Sequence, residues 1–253
     1  MIPSFPTTVF CPDAELGYER SRTRFAAGEG LVLDETYRLA HLPLVSPGHP
    51  RIIETREGTS YVMGRHEQVF SLVLPVPGDR LLQSPAYRDL DAAMRASPFA
   101  GKIAWDVLDR RRDKLHATIC GSLATGAPPL LDQSKRRALT EVGPVVVELR
   151  GLFSGNVNCG RLYLRAYPES RNGENVFRQI QRSLGCRETD LYVVGLYNMT
   201  DDLDAAEAAA LAALIESWWD RAILRFEVDH LWLMGSSDDL VLDSHVEENI
   251  PLV

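Results

Sequence analysis

The sequence predicts an α+β protein whose strands pair mostly antiparallel. Three observations carry that expectation. Apolar runs of strand length and amphipathic stretches follow the order strand, helix, strand, strand, helix, hairpin, helix, strand, helix, strand. That order lacks the regular alternation that a parallel βαβ sheet requires. The chain also divides into two similar halves, each with a helix feeding back to a sheet.

Residues 1 to 65 are broken by Pro3, Pro6, Pro12, Pro43, Pro47 and Pro50 and by interspersed glycines, so no long periodicity survives there. They read as an N-terminal extension wrapping a core of residues 66–253, with one short helix near Asp34 to Leu39. Val69 to Leu74 is a strand stopped by Pro75 and Pro77. Ser84 and Pro85 supply an N-cap and a first-turn proline for a helix running to about Ala96. Lys102 to Val107 reads as a short strand. The basic loop Asp109 to Lys114 leads into an apolar strand at Leu115 to Ile119.

A short helix follows around Asp132 to Thr140. Pro144 to Leu152 and Arg161 to Tyr167 form a hairpin around the glycine- and asparagine-rich turn Ser154 to Gly160. Asn175 to Leu184 is a helix closed by Gly185. Leu191 to Tyr197 is an apolar strand. Thr200 or Asp201 is positioned to cap an alanine-rich helix ending near Trp219, with Leu211, Leu214 and Trp218 as its buried stripe. Leu224 to Met234 reads as one alternating strand, with Phe226, Val228 and His230 sharing a face. Leu240 to Leu242 closes the pattern as a last short strand.

The chain has 253 residues, 45% hydrophobic and 25% charged, which suits a soluble globular protein. A net charge of -8 argues against coating nucleic acid through the overall field, while leaving room for a local basic cleft. Cys11, Cys120, Cys159 and Cys186 form no CxxC pair. Met1 to Phe10 has no basic region followed by a long apolar one, and no run is long enough to span a bilayer. A cytoplasmic protein with free thiols is the expectation.

The sharpest chemical signal is Leu115-His116-Ala117-Thr118-Ile119. Side chains two apart on a strand share a face, so His116 and Thr118 project together. An imidazole moves protons near neutral pH, and a hydroxyl donates to an anionic oxygen. The pairing suits phosphate ester chemistry.

With this motif in its element order, the chain over residues 66 to 243 resembles the 2H phosphoesterase superfamily, the 2′-5′ RNA ligase-like proteins. The resemblance also rests on Leu149-Arg150-Gly151-Leu152-Phe153 and Arg161-Leu162-Tyr163-Leu164. It implies a bilobal, pseudo-twofold fold with a central cleft. Each lobe would supply one His-x-Thr or His-x-Ser motif, one histidine as general base and the other as general acid. The first motif matches His116-Ala117-Thr118. The second falls on Leu191 to Asn198, with Val193 where the histidine belongs and Gly195 where the hydroxyl belongs. The second motif is therefore degenerate.

The resemblance implies a phosphodiesterase for a cyclic nucleotide or an RNA-end phosphate, with His116 moving the proton and Thr118 donating to phosphate. The loss of the second motif implies an alternative, a phosphorylated-ligand or nucleotide-binding protein without turnover. In this register Tyr197 shares the cleft face with Val193 and Gly195, and Tyr197 and Asn198 are candidates for ligand contact. Arg110, Arg111, Arg112 and Lys114 in the basic loop, and Arg161 and Arg165 on one face of their strand, are candidates for phosphate contact, since a guanidinium binds phosphate bidentately. Tyr61, Arg65 and His66 stand just before the core, where the extension can fold over the cleft as a lid, supply missing groups, or simply cover a sheet edge. His41, His49, His66 and His245 show no metal-ligand spacing. The chemistry that the resemblance implies needs no metal, since side-chain protonation can replace Lewis-acid assistance, and neither a GxGxxG nor a P-loop spacing occurs, so no organic cofactor is expected; the expected partner is a small phosphorylated ligand, not a membrane.

Overall fold

The computed structural model describes residues 8–253. The reading of Met1 to Phe10 as lacking a leader rests mostly on residues 1–7, which lie outside that range. The strands in chain order are β1 Arg65–Pro75, β2 His116–Thr125, β3 Val145–Ser154, β4 Arg161–Pro168, β5 Ser170–Arg171, β6 Glu174–Asn175, β7 Val193–Asn198, β8 Ala222–Val228, β9 His230–Asp238 and β10 Ser244–Pro251. Eight of them build one curled antiparallel sheet in the order β10-β9-β1-β2-β7-β4-β3-β8, and β5 pairs only with β6. The fold is α+β with antiparallel pairing.

The two middle strands, β2 and β7, pair at a single position, Ala117 with Val194. β1 pairs with β2 over six positions, and β3 with β4 over seven. The sheet is thus two four-stranded halves joined at one narrow seam. Ala117 and Val194 are both fully buried, which turns their strand neighbours His116, Thr118, Val193 and Gly195 to the other face.

The helices are α1 Tyr18–Ser21, α2 Glu35–Ala40, α3 Leu42–Val45, α4 Gly78–Gln83, α5 Pro85–Arg95, α6 Trp105–Arg110, α7 Gln133–Val142, α8 Val176–Ser183 and α9 Ala205–Trp218. Ser84 caps α5 by accepting from the Tyr87 amide, with Pro85 at the first helical position. α8 packs on β2, α6 on β7, α9 on β3 and α5 on β8. Their apolar stripes meet the sheet in one continuous core that includes Leu74, Leu90, Ala117, Leu149, Leu164, Val194, Leu211 and Phe226. Each large apolar side chain so buried contributes about 1.5–3 kcal/mol. No helix among the described residues is long and apolar enough to cross a membrane.

The segment before β1 packs along the second half of the sheet. The Tyr18 hydroxyl reaches the Ala166 and Tyr192 carbonyls at 2.7 and 2.9 Å, and the Tyr37 hydroxyl donates to the Met199 carbonyl at 2.7 Å. Asp34 caps α2 by accepting from the Tyr37 amide, close to where the sequence predicts a helix.

Several elements differ from expectation. Lys102 to Val107 is not a strand: Ile103 makes one isolated bridge to Met199, and the chain then turns into α6, with an Asp106–Arg110 pair one turn apart. The expected strand Leu224 to Met234 breaks at Asp229. Its first part is β8 on one edge, paired with β3, and its second is β9 beside β1. His230 therefore belongs to a different strand from Phe226 and Val228. Leu240 to Leu242 is a turn, with Val241 at a φ of 54°, and it leads to β10, which the sequence reading did not foresee. The cap of α9 is Asp204, in a capping box with Glu207, not Thr200 or Asp201.

Candidate functional site

The face of β2 that carries His116 and Thr118 opens into a cavity of about 360 Å³. That volume suits a small molecule. His116 stands in its wall, half-buried. The Lys114 carbonyl lies 2.7 Å from His116 Nδ1. A carbonyl only accepts, so Nδ1 carries the proton and Nε2 keeps its lone pair. Among the described residues, no hydrogen bond reaches Nε2. Burial, reinforced by Arg111 and Arg161, pushes the imidazole down to about 4, so it is neutral and basic at Nε2 near pH 7. Thr118 is exposed in the same wall, paired across from Val73.

Beyond Thr118 the ladder with β1 is interrupted: Leu72 pairs with Cys120 and Phe70 with Ala124, which leaves three residues of β2 opposite Ser71. Within this bulge Ser122 adopts a φ of 51°, its amide bonded to Ser71 Oγ. Gly121, Ser122 and Ser71 thereby line the cavity.

Arg161, at the start of β4, reaches into the same cavity, and Nη1 donates to the Asp239 carbonyl at 2.9 Å. Its guanidinium lies against Gly195. A Cβ on Gly195 would stand 2.1 Å from Arg161 Nη2. Arg111, at the C-terminal end of α6, is fully buried behind it and donates to the Gly195 carbonyl at 2.8 Å. Both guanidiniums converge on the position that the 2H-like register assigns to the second hydroxyl. Val193 and Gly195 put no proton-transfer group there.

The opposite wall comes from the segment before the core and from the β9–β10 turn. His41, Tyr61, His66 and Asp239 all line the cavity. The Tyr61 hydroxyl donates to Asp239 Oδ2 at 2.9 Å, and His66 Nε2 lies 3.3 Å from Asp239 Oδ1. His66 Nδ1 meets the Glu67 carbonyl at 2.6 Å. The Asp239 hydrogen bond raises the His66 pKa. Burial works against the Asp239 charge, yet the His66 and Tyr61 bonds help hold its carboxyl at about 2. His41 is fully buried, stacked 5.1 Å from Tyr37, with neither ring nitrogen partnered.

Other expected contacts lie elsewhere. Tyr197 does not face the cavity. Leu162 pairs with Tyr197 but Tyr163 with Gly195, so Leu196 is an extra residue that flips the strand. The Tyr197 hydroxyl donates instead to Asp91 of α5 at 3.0 Å, and its ring meets Trp105 edge-on. Asn198 is fully buried behind the cavity wall, its Nδ2 3.4 Å from the Tyr37 hydroxyl. Arg110 projects from the outer side of α6 and pairs with Asp106 at 3.7 Å. Its neighbour Arg111 is the residue that turns inward.

A scan against protein-family models finds no match, and a search of curated proteins finds none either. Among the described residues, no group of three or more His, Cys, Asp and Glu side chains is gathered to hold a metal ion. The described cysteines are all free thiols. The groups that line the cavity are the His41, His66 and His116 imidazoles, hydroxyls, the Asp238 and Asp239 carboxylates and the Arg161 guanidinium.

Proposed function

We propose that this chain binds a phosphate ester in the cavity and hydrolyses it as a phosphodiesterase, with His116 as general base, after the manner of one half of a 2H phosphoesterase site. The observation that carries the reading is the His116 imidazole itself: neutral, fixed through Nδ1, with Nε2 open to a cavity that also holds Thr118 and Arg161. On a 2′,3′-cyclic nucleotide, Nε2 takes a proton from water as the water oxygen bonds to phosphorus. The bond from phosphorus to one ribose oxygen breaks, and that oxygen takes a proton from solvent at the cavity mouth. Thr118 and the Arg161 guanidinium hold the non-bridging oxygens, where negative charge is concentrated.

The test is hydrolysis of 2′,3′-cyclic nucleotides by the wild type and by His116→Ala. Loss of a general base lowers turnover by about 10²- to 10⁴-fold. The wild-type rate should be flat above about pH 5 and fall below it, as an imidazole depressed to about 4 gains its proton. Equal turnover by both proteins removes His116 from the mechanism.

Gly195 favours a second reading, a protein that binds a phosphorylated ligand without cleaving it. Across the β2–β7 seam from His116, the Arg161 guanidinium fills the place of the second hydroxyl at Gly195, and Val193 stands where the acid would be. Under that reading nucleotides raise the melting temperature and no product forms.

A further inference from the structure

The geometry points to a subsite for a phosphate dianion in the cavity, built by Arg161 and His41 in its wall with Arg111 buried against Gly195, so that the ligand presents a phosphomonoester. The inference rests on the phosphate-ester reading, shares Arg161 with it and adds Arg111 and His41. Arg111 uses one of its N–H groups, on the Gly195 carbonyl, and its Nε and Nη1 are buried without partners. Arg161 uses Nη1 on the Asp239 carbonyl, and its Nε is buried without a partner. Both His41 nitrogens are also buried and unpartnered, and one of them carries the N–H that a phosphate oxygen accepts.

Buried polar groups are almost always bonded, and a cluster of orphans marks the place of an absent partner. The charges say what kind of partner. No carboxylate bonds either arginine: Asp239 is held by His66 and Tyr61, and Asp238 accepts the Leu240, Leu242 and Asp243 amides. The interior Arg165 also leaves its Nε unpartnered, but it has a carboxylate, Asp13, 3.7 Å away and donates to the Tyr167 hydroxyl and the Trp219 carbonyl. Asp238 acts on Arg111 through its charge but bonds neither guanidinium, so free N–H groups of both arginines remain for an anion's oxygens, and a dianion draws more from them than a diester does. After burial itself, Arg161 and Arg111 are among the groups that push His41 down to about 3, a strain that an arriving anion relieves. Val73, Met234 and Val241 line the same cavity and offer an apolar surface to the body of the ligand.

Calorimetric titration at about pH 8, where a phosphate monoester is fully ionised, compares inorganic phosphate with dimethyl phosphate. Wild-type protein should bind phosphate at least about tenfold more tightly, since charge-assisted bonds to a second negative charge are lost in the diester. Arg161→Met and Arg111→Met should each lose about tenfold or more in phosphate affinity, while the melting temperature in phosphate-free buffer holds or rises, because an unpaired buried charge has gone. Equal affinity for the two probes in the wild type, no phosphate binding, or variants that bind as the wild type does would overturn the subsite. Hydrolysis of the cyclic nucleotide is scored apart. Phosphate binding without turnover sinks the hydrolase alone, and turnover without preference for the dianion sinks this subsite alone.

Discussion

Burial holds two imidazoles of the cavity in the neutral form, His41 down to about 3 and His116 to about 4. Each has a folded pKa below the ordinary value near 6.5. Between those limits the unfolded chain binds more protons than the native one, so stability falls as pH drops from about 6.5 toward 4. His66 runs the other way. Its raised pKa adds stability below about 6.5 that is lost as pH climbs through the folded value. Urea unfolding should therefore show a maximum near pH 6.5, with a loss on the order of 3 kcal/mol by pH 4. His41→Phe should flatten the acid limb by at least half. A limb of unchanged slope in that variant places the acid sensitivity elsewhere. The same scale explains what the sequence could say of the site. His116 and Thr118 share a strand, and a period of two is read directly. Arg110 and Arg111 adjoin at the end of a short helix, where one residue of rotation separates solvent from the interior, and nothing in Asp109 to Lys114 marks which arginine turns in.

The β2–β7 seam concentrates the consequences of element geometry. Gly195 is the one residue type that leaves room for the Arg161 guanidinium. Gly195→Thr, which restores a hydroxyl to the degenerate motif, should destabilise by about 1–3 kcal/mol through overpacking. Arg161→Ala in the same chain should recover at least half of that loss, a coupling that a double-mutant cycle measures. Strict additivity contradicts the proposed contact. Strand existence was legible wherever apolar runs were bounded by proline or glycine, as in β1, β3 and β4. It failed where local pattern carries no information on partners. The run from Leu224 to Met234 alternates smoothly, yet Asp229 divides it between distant places in the sheet. The extra residue Leu196 reverses the face of Tyr197, and no turn residue announces it. β10 is polar on most of its length, as a sheet-edge strand permits, so no apolar run marks it in the sequence.

Across the whole molecule, the cavity gathers groups from both halves of the sheet and from the segment before it: His116 from β2, Arg161 from β4, Asp239 from the β9–β10 turn, His41 and Tyr61 from the N-terminal segment. Tyr18, Leu33 and Tyr37 of that segment lie in the main core. The chain should consequently unfold in one transition, with tryptophan fluorescence from Trp105, Trp218, Trp219 and Trp232 coinciding with far-ultraviolet circular dichroism. Two separated transitions would make the segment or a sheet half an independent unit. The account turns on an open, neutral His116 beside a site for phosphate. ¹⁵N-histidine NMR observes that directly, with His116→Gln assigning the resonance. The expected spectrum has a protonated Nδ1 and a bare Nε2 at neutral pH, a midpoint near 4, and a rise in that midpoint when phosphate is added. A His116 that titrates near 6.5 and ignores phosphate contradicts the account.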